Sequence, residues 1–225
     1  MTVALLCPTR ARPEQCKRMI KSAAITSTDK VLVYLAVSKN EFDIYKNTLS
    51  LYKNDKVEVL MVTMPDNLHT AQKWNSLAEL AMNKNPDYLM LGADDMVFET
   101  PCWNEALTET KPHVYALQDS RDENGVPHPI MSRAWVDAMG WFVPPIFTHW
   151  MIDSWSVEIA KANNCFTHLR EYSLLHDKCN DRGEPDETHS RIRNFGWHSR
   201  DMWVAEKSAD ILEMYKERLA KCLKN

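Results

Sequence analysis

Residues 88–98 read Tyr88-Leu89-Met90-Leu91-Gly92-Ala93-Asp94-Asp95-Met96-Val97-Phe98. A short apolar run ends in two adjacent carboxylates, and apolar residues resume at once. A continuous apolar run marks a strand covered on both faces, as in a parallel sheet. In open α/β sheets, ligands bind beyond the carboxyl ends of the strands, where Asp94 and Asp95 fall. Two neighbouring carboxylates there repel each other and lose hydration. A divalent cation such as Mg²⁺ or Mn²⁺, which favours hard oxygen ligands, relieves both costs. The competing reading is a solvated turn or a helix N-cap; the apolar flanks argue against a polar surface tip.

The chain on the N-terminal side repeats one pattern. Val3 to Cys7 reads as a buried strand ended by Pro8-Thr9-Arg10, and Glu14 to Ala24 has helical spacing. Val31 to Val37 is a second strand, Glu41 to Tyr52 a helix, and Val57 to Val62 a third strand. Thr70 to Asn83 is a helix with Trp74, Leu77, Ala78 and Ala81 on one face. Strand–helix alternation at this spacing predicts an α/β fold with a mostly parallel central sheet flanked by helices. Three polar segments then converge at one sheet end: Pro8 to Pro13, Pro65 to His69 with Asn67, and Asp94-Asp95.

On the C-terminal side the pattern loosens. A strand is expected over His113 to Gln118, a break at Val143-Pro144-Pro145 and a helix over Ser154 to Asn163. Asp181 to His189 reads as a polar loop and candidate lid. Lys207 to Leu223 reads as a terminal helix, with Ile211, Leu212, Tyr215, Leu219 and Leu223 on its apolar face. One domain over 1–225 is expected, in three parts: 1–110, 111–190, and a C-terminal loop and helix over 191–225.

Composition narrows the chemistry. The 225 residues include only 5 glycines, and no two lie close enough for a G-x-G-x-x-G turn or a Walker A loop. A bound pyrophosphate would have to be met by a cation and basic side chains instead of a glycine cradle. The net charge of −4 exerts no global pull on nucleic acid. Six scattered cysteines without a C-x-x-C pair disfavour a zinc cluster or disulfide framework. No apolar run approaches bilayer length, and no basic n-region precedes the first one. A cytoplasmic protein with no membrane contact and no obligate protein partner is expected.

In order and spacing, these segments resemble the GT-A fold glycosyltransferases of the family 2-like group, over roughly residues 1–180. Leu89 to Phe98 resembles their D-x-D strand end, Pro8 to Pro13 their first nucleotide-binding loop, and Thr70 to Ala78 the helix after their third strand. Ala93 stands at the first, usually acidic, D-x-D position, which leaves Asp95 as the direct metal ligand. Ser38-Lys39-Asn40 stands where many relatives carry an acidic residue that reads uracil. The resemblance implies a metal-dependent transferase with a nucleoside diphosphate sugar, expected to be a UDP-sugar, as donor, in a single catalytic domain with 1–110 as its nucleotide-sugar half and 111–190 as its acceptor and catalytic half. It implies Asp95 and His176 as metal ligands, with Pro8, Thr9, Arg10, Arg12, Asn67, Lys73, Asn75 and Asp94 around the donor. It also implies Asp153, among Phe147, Trp150 and Trp155, as the base that deprotonates a hydroxyl acceptor in an inverting transfer.

Each residue also has a plainer reading: surface arginines in a proline-bounded turn, a solvated helix lysine, an N-cap aspartate, a core histidine. For the acceptor, Arg191 to Arg200 interleaves three arginines with Phe195 and Trp197, a pattern that suits phosphate contact and base stacking. The compact chain also resembles small bacteriophage glycosyltransferases, some of which decorate hydroxymethylated pyrimidines in DNA; the host cytoplasm would then be the site of action. Saccharide or lipid-linked acceptors, a nucleotidyltransferase and a non-enzymatic sugar- or nucleic-acid-binding module are the alternatives.

Overall fold

The computed structural model describes residues 1–50, 54–122, 126–177, 190 and 194–224. The lid candidate 181–189, Arg191, Arg193 and the last residues of the expected 41–52 helix lie outside the described residues. The first half follows the expected alternation: β1 (Thr2–Pro8), α1 (Pro13–Thr26), β2 (Lys30–Val37), α2 (Phe42–Ser50), β3 (Val57–Thr63), α3 (Thr70–Met82) and β4 (Tyr88–Leu91). The second half comprises β5 (Met96–Phe98), β6 (Val114–Asp119), β7 (Ile130–Ser132), α4 (Arg133–Met139), α5 (Ile152–Ala162), β8 (Phe166–His176), α6 (Trp197–Lys207) and α7 (Ala209–Lys224).

The eight strands form one sheet in the order β3-β2-β1-β4-β7-β6-β8-β5. From β3 to β4 all pairs are parallel, with Leu6 opposite Leu91 and Cys7 opposite Leu35. β7 joins β4 antiparallel, β6 and β8 run parallel, and β5 closes the edge antiparallel to β8. The fold class is as expected, and mixed pairing is confined to the second half. Five elements went unanticipated there, β5, β7, α4, β8 and α6, while the helix expected over 207–223 is found as α7, separated from α6 at Ser208.

The continuous apolar runs are explained by burial on both sheet faces. Along β1, Ala4 and Leu6 point to the layer of α3, α4, α5 and α7, where they meet Trp74, Leu77 and Ala78. Val3, Leu5 and Cys7 point to the opposite layer, against Cys16, Met19, Ile20 and Ala23 of α1. Burying a Leu or Ile side chain contributes roughly 1.5–3 kcal/mol, so these two interfaces dominate the stability of the sheet centre. No helix among the described residues is long and apolar enough to cross a membrane.

The strand ends are held at close range. Trp74 Nε1 donates to Leu6 O at 3.0 Å and to Gly92 O at 3.2 Å, and Gly92 N donates to Leu6 O at 2.8 Å. A Cβ on Gly92 would stand 2.7 Å from Leu6 O and 2.9 Å from Leu5 Cδ1, too close for backbone that cannot yield. Gly92→Ala is therefore expected to lower the unfolding free energy by about 1–3 kcal/mol, read from urea denaturation. Unchanged stability would mean that β1 and β4 part more easily than their packing implies.

Candidate active site

The site forms where the parallel strands end. Pro13 occupies the first turn of α1, and the residue before a proline is disfavoured in helical backbone. Arg12 accordingly has φ −135° and ψ 49°. Its side chain lies inside the protein, with only 7% of the residue exposed. Arg12 Nη1 stands 2.9 Å from Asp94 Oδ1 and 3.3 Å from Asp95 Oδ2.

Asp94 is also bound from the other side. Thr9 Oγ1 donates to Asp94 Oδ2 at 2.6 Å and meets the Tyr45 hydroxyl at 2.7 Å, which itself accepts from Arg12 N at 3.0 Å. With the Thr9 proton directed to Asp94, Tyr45 is the donor to Thr9. Burial pushes Asp94 up to about 6, opposed by Arg12 and helped by the charge of Asp95. For Asp95, burial also acts upward, but His176, His128 and Arg12 outweigh it and hold the carboxyl at about 2. One guanidinium against two carboxylates leaves an excess negative charge in a buried place, which favours a proton or a cation there.

The opposite wall is delivered by β8. Met96 of β5 pairs with His176, and Asp177 N donates to Asp95 O at 2.8 Å. Arg18 and Arg121 clamp the buried Asp177 carboxylate at 2.9 Å and 2.8 Å, which pins the end of the strand. His176 Nε2 thereby faces Asp95 Oδ1 at 3.5 Å. Asp95 Oδ1 is buried and has no hydrogen-bond partner among the described residues. An orphaned carboxylate oxygen beside an imidazole nitrogen fits a divalent cation completed by substrate oxygens and water. Among the described residues no group of three or more His, Cys, Asp or Glu side chains is arranged to hold a metal by itself. Asp94, with both oxygens engaged by Thr9 and Arg12, stands behind Asp95. The sequence reading missed His128, whose ring lies 4.4 Å from that of His176 and whose Nδ1 is 3.1 Å from Leu91 O. Its only sequence signal is a histidine between two prolines; its left-handed φ of 58° is visible only in the fold.

A second charged group lies at the ends of β1, β2 and β3. Arg10 pairs with Asp66 at 3.3 Å, Ser38 Oγ donates to the same carboxylate, and Ala11 N donates to Glu41 at 3.2 Å. The Ser38 and Arg10 donors outweigh desolvation and lower the pKa of Asp66. Burial lowers that of the Lys73 ammonium, against the pull of Asp66. Asn67 is exposed on the same loop. Pro8 is the last residue of β1, and Thr9 N continues the ladder to Ala36 O at 3.0 Å.

Asn75 does something else. Its Oδ1 accepts from Phe142 N and Val143 N, both at 3.0 Å, and its Nδ2 donates to Val143 O at 3.0 Å. It staples the 142–143 segment to α3. Asp153 lies half-buried in the first turn of α5, whose N-cap is Met151, and its Oδ1 accepts from Ser154 N at 2.7 Å. Thr9, Arg12, Asp94, Asp95 and His176 thus share one network, Arg10 and Lys73 another, and Asp153 belongs to a separate loop and helix.

No family model matches the chain, and no curated protein matches it. Among solved structures, S. aureus TarS 1–349 is similar with a TM-score of 0.57 and 12% identity, over 79% of this chain and 61% of that one. TarS 1–349 in complex with UDP-GlcNAc gives 0.58 and 13% identity, over 77% and 58%. A longer TarS structure gives 0.56 and 13%, over 79% and 37%. The chain spans less than two thirds of these TarS chains. The likeness shows the fold alone: a mixed α/β, Rossmann-like arrangement with a mostly parallel sheet.

Removing Arg12 would strand two buried carboxylates. Arg12→Met is expected to lower the unfolding free energy by about 3–5 kcal/mol in guanidinium denaturation. Adding Asp94→Asn should recover part of that loss; equal loss in the double variant would show that Arg12 acts by packing alone.

Proposed function

We propose that the chain transfers a sugar from a nucleoside diphosphate sugar, a UDP-sugar by preference, to a hydroxyl acceptor, with a bound divalent cation. The observation that carries this reading is the orphaned Asp95 Oδ1 facing His176 at 3.5 Å, at the carboxyl end of a parallel sheet. The likeness to a structure in complex with UDP-GlcNAc supports the same donor class. Asp95 and His176 would hold Mn²⁺ or Mg²⁺, which, when bound, neutralises charge on the diphosphate leaving group.

The protein groups divide the remaining work. Arg10 and Lys73, beside the Ser38–Asp66 pair, supply positive charge for the diphosphate. Arg12 holds Asp94 and Asp95 in register. Asp153 takes the proton of the acceptor hydroxyl as that oxygen bonds to the anomeric carbon. The bond from that carbon to the diphosphate breaks in the same displacement, and configuration inverts. Hydroxymethylated pyrimidine in phage DNA is the acceptor proposed. Phe195, 54% exposed and stacked on Trp197 at 5.2 Å, supports it as a stacking surface. The free thiols of Cys7, Cys16, Cys102, Cys165 and Cys222 support a reducing cytoplasm as the place of action.

Thermal shift and turnover test these roles. UDP-GlcNAc with Mn²⁺ should raise the melting temperature, and the rise should vanish with EDTA or in Asp95→Ala; a rise untouched by both removes the cation from the reading. Asp153→Asn should keep that shift and lose transfer by roughly 10²–10⁴-fold, the usual contribution of a positioned base. Unchanged transfer would withdraw Asp153 from the mechanism.

A further inference from the structure

Asp201 is the one fully buried residue of α6, with 0% of its surface exposed. Its partners come from a segment more than fifty residues earlier in the chain. Its Oδ2 accepts from Thr148 Oγ1 at 2.7 Å, His149 N at 2.8 Å and Trp150 N at 2.9 Å, while Thr148 N reaches Oδ1 at 2.9 Å. Three consecutive backbone N–H groups therefore converge on one carboxylate, a nest that ordinarily receives an anion. Arg200 Nη1 completes the set at 2.6 Å from Asp201 Oδ1 and reaches back to Ile146 O at 3.2 Å. Burial acts to raise the Asp201 pKa, and the His149, Thr148 and Trp150 donors outweigh it, so the carboxylate stays charged.

The segment that this carboxylate grips leads straight into α5. Met151 follows with a left-handed φ of 67°, a backbone state costly for a side chain of its kind, and Asp153 is two residues further on. On its other side the segment is tied to α3 by Ala71 N donating to Thr148 O at 3.0 Å. The ring of His149 faces Trp74 at 6.2 Å and Trp197 at 6.3 Å. The turn is thus held between α3, which lines the donor side, and α6.

We infer that Asp201 is a positioning residue: its carboxylate sets the conformation of the 148–151 turn and through it the placement of Asp153. The inference rests on the proposed role of Asp153 as base. It assigns the C-terminal helix α6 to the acceptor side of the reaction, and not only to the covering of the core.

The test combines kinetics with amide exchange. Asp201→Asn replaces an acceptor by an amide that cannot receive all these N–H groups. It should lower kcat by about 10–100-fold and leave KM for the donor within about twofold, because misplacement by an ångström suffices for such a loss. Asp201→Asn combined with Asp153→Asn should be no slower than Asp153→Asn alone, since both remove one function. Exchange of the Thr148, His149 and Trp150 amides should quicken by about tenfold or more, with β1 and β2 unaffected. Should Asp201→Asn fail to fold, Thr148→Val, which deletes one donor, carries the same test with a smaller loss of kcat in the same direction. Full kcat, multiplying losses in the double variant, or unchanged exchange would overturn the inference. Absence of transfer in the unaltered protein would overturn the glycosyltransferase reading; amide exchange would still decide whether Asp201 holds the turn.

Discussion

Arg12 sits between two carboxylates in the interior, 2.9 Å from Asp94 and 3.3 Å from Asp95, and the functional end of the sheet is arranged around that cost. Taking three charges out of water is expensive, and it is tolerated only where hydrogen bonds and geometry answer it. Thr9 and Tyr45 supply hydrogen bonds, Pro13 keeps Arg12 out of the helix, and the Asp177 backbone holds Asp95 from the far side. Asp95 Oδ1, buried with no hydrogen-bond partner among the described residues and facing His176, is the place in this cluster suited to receive a cation.

The two halves of the chain meet on α3. Trp74 binds the carbonyl ends of β1 and β4, Asn75 clamps the 142–143 segment, and Ala71 binds Thr148. One helix thereby sets the ends of β1 and β4 and the turn before α5 relative to each other. Asp201 grips that turn from outside. Sheet, α3, turn and α6 form a continuous mechanical path from the aspartate pair to Asp153, and the hydrogen bonds along it are mostly to backbone, so they hold position more than they discriminate between side chains.

Legibility differed between the halves for a physical reason. β1, β2 and β4 were readable within a residue or two because burial on both faces demands uninterrupted apolar runs, and the edge strand β3, largely exposed, was readable from its β-branched and apolar composition. β5, β7 and α4 were not, since three paired residues or two helical turns carry too little periodicity to stand out, nor was β8, whose run from Phe166 to His176 is mixed with polar residues and only partly buried. The helix expected over 207–223 was located as α7, which packs Tyr215 and Leu219 into the core, but α6 was not, because its one buried residue, Asp201, is polar and leaves no apolar stripe to read. Within the site, Asp94 and Asp95 were legible from their apolar frame. His128 and Asp201 were not, because a histidine between prolines and an aspartate in a polar helix look solvated until their partners are known.

The sheet class, the convergence of the 8–13, 65–69 and 94–95 segments, and the lack of clustered glycines are legible in the order of residues alone. All of these follow from local runs and short spacings. Which way each polar side chain faces depends on long-range packing. Arg10 and Arg12 are two residues apart in one loop, yet Arg10 meets the exposed Asp66 and Arg12 is drawn inward to the aspartate pair. Asn75 looked like a donor-site residue and is turned to backbone in the other half. His176 reaches Asp95 through strand register, and Asp201 reaches Thr148 across more than fifty residues. The reason is desolvation: a buried charge or amide must find its partners wherever the fold brings them, and those partners are distant in sequence.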